Sequence, residues 1–262
     1  MSLTGVWSNS YGSVMNLSQF AGGLIAGTYS SSTGSTGKYY VAGMAGPSDP
    51  TPSLGQSAAL SIYWRSYTGG QGDPSWHWVS GLSGQLNTSG SQPTLYLMHA
   101  MVATDNFPNV ANVGTYIDKL IYTPKQGETD SSIKDALSEG ANGTDPISGV
   151  WVCNEEPGTI MQLSVSGPST GYVTGDLASA AGRYVLVGFT DVDAQSGGIA
   201  RQGLSVSVGV GDAGVCMSMA GSLDFSTGVM TLTVYASRGT SADTIYTQTQ
   251  VSQWTFTKSS DD

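Results

Sequence analysis

Residues 83–95, SGQLNTSGSQPTL, return without a gap as residues 220–232, AGSLDFSTGVMTL. A self-match inside one chain is the mark of an internal duplication, and it has to be settled before any other division is made. Working outward, Gly5-Val6-Trp7 comes back as Gly149-Val150-Trp151, and Lys38-Tyr39-Tyr40-Val41-Ala42-Gly43 as Arg183-Tyr184-Val185-Leu186-Val187-Gly188. Near each end, Ile121-Tyr122-Thr123 matches Thr255-Phe256-Thr257. Chance likeness between Gly/Ser-rich strands does not give four matches in the same order. The offset shrinks from about 145 residues early to about 134 late, as shorter loops in the second copy would cause.

Each copy breaks into short alternating runs separated by Gly, Ser, Asn or Pro clusters. In the first copy the strand candidates are Leu3–Trp7, Met15–Leu17, Ile25–Tyr29, Tyr39–Ala42, Ala59–Trp64, Trp76–Leu82, Leu95–Val102 and Gly114–Tyr122. Regular short strands with no helical period predict an all-β chain of two antiparallel, eight-stranded, up-and-down barrels in tandem. The domains are read as 1–124 and 147–262. The linker, 125–146, is the most charged stretch; within it Asp130–Glu139 is expected to form a short helix, capped by Asp130 or Ser131 and stopped at Gly140.

Composition agrees. At 262 residues there is room for two ordinary domains. Charged residues are 11% of the chain, under half the ~25% of a typical globular domain, yet 39% is hydrophobic, which argues for packed cores rather than disorder. A net charge of −10 repels phosphate backbones and anionic lipid, so neither nucleic acid nor a membrane surface is an expected partner. No apolar run approaches the ~20 residues of a spanning helix. The opening residues enter a strand with no basic or apolar leader, and Cys153 and Cys216 are the only cysteines, so a reduced, cytoplasmic protein without a signal peptide is expected. The sequons at Asn16, Asn87 and Asn142 would matter only in a secreted chain.

Catalysis finds little support. His77 and His99 are the only histidines, with no Cys/His metal spacing and no nucleophile elbow. Gly69-Gly70 and Gly197-Gly198 read as turns rather than phosphate loops. A Ser–His pair involving His99 is conceivable but has no orienting acid, so the chain is not expected to be an enzyme or to hold a metal.

The opening LTGVWSNSYGSVMNLS, then Gly27-Thr28-Tyr29, Ser83-Gly84-Gln85 and the closing Trp254-Thr255-Phe256-Thr257-Lys258 resemble the avidin/streptavidin family, most closely its fungal members. The resemblance spans both copies in order. It implies a barrel holding one small molecule, biotin in the family, with the ureido ring among an Asn, a Ser, a Tyr and an Asp, and tryptophans gripping the rest. By that resemblance Asn9, Ser13 and Tyr29 match the oxygen-binding trio, Ser31 a ring N–H acceptor, Ser80 a threonine position, and Trp64 one tryptophan. Leu82 and His99 stand where two other tryptophans belong, and Leu120 where the floor aspartate belongs. Asn112 and Tyr246 occupy the position of a tryptophan lent by a neighbour. A lost charge-assisted hydrogen bond removes roughly 1.5–3 kcal/mol and a binding-site tryptophan roughly 2 or more. The sum is on the order of 8 kcal/mol, so biotin affinity is expected about a millionfold below the family's best.

The second copy departs further. Cys153 falls on the asparagine, Leu177 on the tyrosine, Val208 on the tryptophan and Trp254 on the aspartate. Met217 and Met219 face inward on the sixth strand. Two readings stay open for this barrel: it is filled by its own side chains, or it takes an apolar guest. In the first copy, strand alternation puts Trp76 and Trp78 on one face, as interior packing, a ligand wall, or a platform for a sugar ring. Cys153 points inward and Cys216 outward, which a disulfide cannot bridge.

The substitutions share a direction: a small polar floor with apolar walls. They point to a non-catalytic binder of an elongated apolar molecule with a carbonyl or carboxyl head, such as a polyene pigment or a fatty-acid-like metabolite. Biotin binding by the first barrel alone is the alternative, and a carbohydrate-binding or defence lectin a third. The two barrels are expected to pair as an intramolecular pseudo-dimer. Dimerisation of the chain would recreate the four-barrel assembly that the resemblance implies.

Overall fold

The computed structural model describes residues 2–31, 36–137, 143–166, 169–211, 214–241 and 248–259. The first copy forms β1 (Gly5–Asn9), β2 (Val14–Gln19), β3 (Leu24–Ser31), β4 (Gly37–Ala45), β5 (Gln56–Tyr63), β6 (Trp78–Asn87), β7 (Thr94–Ala103) and β8 (Gly114–Lys125). The second forms β9 (Gly149–Cys153), β10 (Ile160–Val165), β11 (Tyr172–Ser179), β12 (Gly182–Thr190), β13 (Arg201–Val210), β14 (Val215–Asp224), β15 (Val229–Arg238) and β16 (Thr249–Lys258). Each strand pairs antiparallel with the next. β8 returns to β1 and β16 to β9, so both sheets are closed barrels without free edges.

The alternation visible in sequence sets the faces. In β2, Met15 and Leu17 are fully buried and point into the first barrel. The repeated tryptophans are held alike: Trp7 Nε1 donates to the Leu3 carbonyl at 3.0 Å, and Trp151 Nε1 to that of Ile147 at 2.9 Å. β5 and most of β6 are buried on both faces. Their inward residues, Leu60, Ile62, Trp78 and Leu82, fill the barrel, while the outward ones sit against the second barrel. A small-residue strand with no polar face is therefore a seam strand here.

That seam joins β4, β5 and β6 to β12, β13, β14 and β15, making an intramolecular pseudo-dimer. Hydroxyls interlock across it. Ser61 and Ser207 lie 2.9 Å apart, Ser205 Oγ donates to the Ser80 carbonyl at 2.9 Å and lies 3.0 Å from Ser61 Oγ, and Ser83 donates to Ser237 at 2.9 Å. The barrels approach so closely at Gly81 that a Cβ there would collide with Ser218 Oγ and press on Ala220 at 3.0 Å. Beside the hydroxyls, Met44, Tyr63, Val79, Val187 and Phe189 form an apolar cluster shared by both barrels.

At one end of the seam, Asp191 follows β12 and is fully buried. Its carboxylate accepts from the Tyr63 hydroxyl (3.1 Å), His77 Nδ1 (2.7 Å) and the Asp193 backbone N–H (3.0 Å). Arg65 pairs with Asp193 at 3.1 Å. Burial pushes the His77 imidazole down, but the hydrogen bond and charge of Asp191, with Asp105 and Asp193, outweigh it and hold it above its ordinary value.

Three expectations need correction. The linker helix is a single turn, Ile133–Ala136, with Ser132 at its N-cap and Asp130 Oδ1 accepting from the Ser132 backbone at 2.9 Å; Glu139, Gly140 and Asn142 lie outside the described residues. Trp76 is not on a strand: Pro74–His77 forms a 3₁₀ turn begun by Asp73, so alternation starts only at Trp78. The Trp76 ring instead lies under the Arg65 guanidinium, 4.7 Å away. Finally, Leu60 opposes Gly43 and Leu82, whereas Val206 opposes Gly188 and Met219. That register makes Val210, not Val208, the counterpart of Trp64. Both cysteines are free: Cys153 lies inside the second barrel, and Cys216 in the seam, 3.3 Å from Ser57 Oγ.

Candidate functional site

The inward faces of the first barrel converge at one end on a cavity of about 220 Å³. Eight residues singled out from sequence line it together: Asn9, Ser13, Tyr29, Ser31, Trp64, Trp78, His99 and Leu120. Ser80 and Leu82 do not; both are buried behind the wall. Tyr11, Met101, Val110 and Asp118 complete the lining. Asn112, near the mouth in sequence, spends its backbone N–H on the Tyr116 hydroxyl (2.8 Å), and Tyr246 lies outside the described residues.

The floor is polar. Asn9 ends β1 at a tight hairpin, and its Oδ1 accepts from the backbone N–H groups of Tyr11 and Ser13, both at 3.1 Å. Those two donors fix which way the amide is turned. Its Nδ2 is therefore a donor, and it is buried without a partner. Directly across the strands stands Tyr122, fully buried, whose hydroxyl faces Asn9 without reaching hydrogen-bond geometry. Burial raises this hydroxyl's pKa far above its ordinary value, helped by Tyr29 beside it. An orphaned buried donor costs about 1–3 kcal/mol. A ligand oxygen set beside Asn9 and Tyr29, both of which line the cavity, would recover that cost.

The walls are apolar but connected. Trp64 packs edge-on against Tyr29 and Tyr39, with ring centroids 5.5 and 4.9 Å away. Its Nε1 donates to Ser80 Oγ at 2.8 Å, and Ser80 Oγ lies 2.9 Å from His99 Nε2. An indole N–H can only donate, so Ser80 Oγ accepts from Trp64 and, with one lone pair and one proton left, either gives to or takes from His99 Nε2. Burial drives the His99 pKa down to about 4, against the opposing pull of Asp118. Trp78 closes the far wall, packed on Phe107 at 5.6 Å with its Nε1 donating to the Asp105 carbonyl.

Asp118 is the residue that sequence reasoning missed. The floor acid is absent at Leu120, as read, but a carboxylate stands two residues earlier on the same face of β8. It accepts from the Tyr11 hydroxyl at 3.3 Å. Period-two alternation from Leu120 and Tyr122 was the available signal.

In the second barrel the corresponding space is packed with Cys153, Leu177 and Met219, against which Val210, Met217 and Trp254 rest. Two larger clefts, of about 620 and 500 Å³, lie between the outer faces of the barrels. Among the described residues no unpartnered buried polar atom faces either of them. Nor do any three His, Cys, Asp or Glu side chains form a metal site among those residues.

Comparison with known families matches residues 1–118 to the Avidin family. A search of curated proteins returned no match to the chain. The matched span covers β1 to β7 and the start of β8. The first barrel of this chain therefore matches the avidin family over nearly its whole length, and the second barrel repeats its strand order.

Proposed function

We propose that the first barrel binds one small molecule per chain, without catalysis, by seating a carbonyl-type oxygen on the floor and an apolar body between the tryptophans. Its family is one of non-catalytic binders of small, biotin-like ligands. The observation that carries the reading is Asn9 Nδ2, a buried donor without a partner, on the lining of a cavity walled by Trp64, Trp78, Met101 and Leu120. The volume, about 220 Å³, lies below the ~300–1,000 Å³ of typical ligand pockets. A polyene or fatty-acid-like guest would therefore bury its head and inner portion and project past the rim. Biotin is the second reading, favoured by Asn9, Ser13, Tyr29, Ser31 and Trp64 meeting around one cavity. The sugar platform loses its paired indoles, since Trp76 lies away from the cavity.

Titration calorimetry with all-trans-retinal and with biotin, together with mass analysis of extracts from the purified protein, tests this. One site per chain for either probe, abolished in Asn9→Ala, is expected. Binding that survives Asn9→Ala unchanged, or no binding and no co-purified molecule, would refute it.

A further inference from the structure

We propose that the mouth of this cavity is charge-selective, admitting ligands whose outer end is neutral or cationic and disfavouring those that end in a carboxylate. The inference rests on the reading that a ligand enters head first toward Asn9.

Three residues of β8 share the inward face and form a depth gauge. Tyr122 is fully buried, Leu120 is 6% exposed, and Asp118 is exposed at the rim. Four residues of strand span about 13 Å, so a ligand seated on the floor passes Leu120 and presents its far end to the Asp118 carboxylate. Nothing in the lining offsets that charge. No Lys or Arg lines the cavity. Lys119 alternates to the outer face, where its ammonium lies 5.4 Å from the Tyr96 ring centroid. Arg65 is paired with Asp193 beside the seam. His99, opposite Asp118 in the β7–β8 register, is kept neutral by its enclosure.

The only hydroxyl on Asp118 in the described structure, that of Tyr11, is itself exposed, leaving carboxylate lone pairs for a ligand donor. An amide N–H, an alcohol or an ammonium would be attracted there. A carboxylate would meet like charge, at a distance and dielectric that give an effect of about tenfold in affinity, screened as salt rises. The selected class is thus a carbonyl-headed apolar molecule with a hydrogen-bond donor at its other end.

Probes that share one head group test the tail alone: biotin as the free acid, as its primary amide, and as its ethylenediamine amide. On the native chain at low salt, the amide and amine forms should bind about tenfold more tightly than the acid. In Asp118→Asn the three affinities should converge. Asp118→Asn keeps the Lys119 backbone contact at Oδ1 and changes no buried group, so its folding is not at risk. Quenching of tryptophan fluorescence by caesium and by iodide gives a readout that needs no ligand: Asp118→Asn should weaken caesium quenching and strengthen iodide quenching. Equal affinities for acid and amide on the native chain would overturn the inference while leaving ligand binding by the cavity intact. If none of the three binds, biotin-type occupancy fails, and unchanged quenching in the variant would then overturn the charge selection as well.

Discussion

Asp191→Ala should be among the most damaging single changes in the molecule, although it lies far from the cavity. The carboxylate is fully buried and receives three donors, from Tyr63, His77 and the Asp193 backbone. Tyr63 and His77 belong to the first barrel and Asp191 to the second, so the cluster is a latch across the seam. Removing one partner of a buried charged pair costs about 3–5 kcal/mol, because the remaining polar groups are left without water or acceptor. For a chain of this size each kcal/mol moves the melting temperature by about 2–4 °C, which gives a fall of roughly 6–20 °C. Asp193→Ala is the control. Its ion pair with Arg65 has side chains 22% and 31% exposed and should be worth no more than about 1 kcal/mol. A raised His77 pKa contributes stability that is complete below its unfolded value of 6.5 and is lost as pH rises through the folded value. The gap between native chain and Asp191→Ala should therefore be widest below pH 6.5 and narrow as pH rises through the raised folded value. Calorimetric melting at several pH values, with the His77→Ala single and double variants, measures all of this. A fall below 2 °C, or strict additivity of Asp191→Ala with His77→Ala, would show that the latch carries no coupling.

Leu120→Asp places a carboxylate on the cavity floor at a cost of several kcal/mol unless it meets donors; retinal should be expelled while biotin binding rises, and parallel movement of the two affinities in titration would contradict the proposed seating. His99 should make the native chain acid-sensitive. Its pKa falls to about 4 from 6.5 unfolded, so stability is complete above pH 6.5 and is lost as pH falls toward 4. The loss is on the order of 3 kcal/mol and should be absent from the urea midpoints of His99→Gln. Gly81→Val should drive the barrels apart, because its side chain collides with Ser218 and Ala220; unchanged melting together with an unchanged scattering profile would mean that the seam tolerates far more than its geometry implies.

Much of the fold was legible because barrels obey a period of two and the chain states its pattern twice. The Gly5-Val6-Trp7 and Gly149-Val150-Trp151 repeats lead directly to the matched indole bonds. Alternation failed at Trp76 because Asp73-Pro74 starts a 3₁₀ turn, and a one-turn detour breaks any face assignment made by counting. The register of Trp64 slipped for a related reason: the longer β13 hides where counting should begin, and only cross-strand pairing reveals it. At the cavity, eight of the residues singled out from sequence meet in one lining, whereas Ser80 and Leu82, on the inward face of β6, are covered by their neighbours. Asp118 escaped because attention to one substituted position, Leu120, drew the eye from the next residue on the same face. The latch was invisible: Asp191 and His77 are 114 residues apart, and only folding joins them.

The two barrels are filled unequally, and this has a mechanical consequence. A void of about 220 Å³ costs a barrel up to ~5 kcal/mol at ~24 cal/mol per Å³, an upper limit for a cavity that water can enter. That is comparable to the whole stability of many domains. A socket of that size would tend to collapse or breathe if it stood alone. Here it is clamped along three strands to a twin whose interior, among the described residues, is a packed apolar core. The packed half acts as a keel, and the open half keeps its shape before any guest arrives. A guest that meets a rigid socket gives up little freedom in the protein on entering, so contacts across its surface pass almost undiminished into affinity.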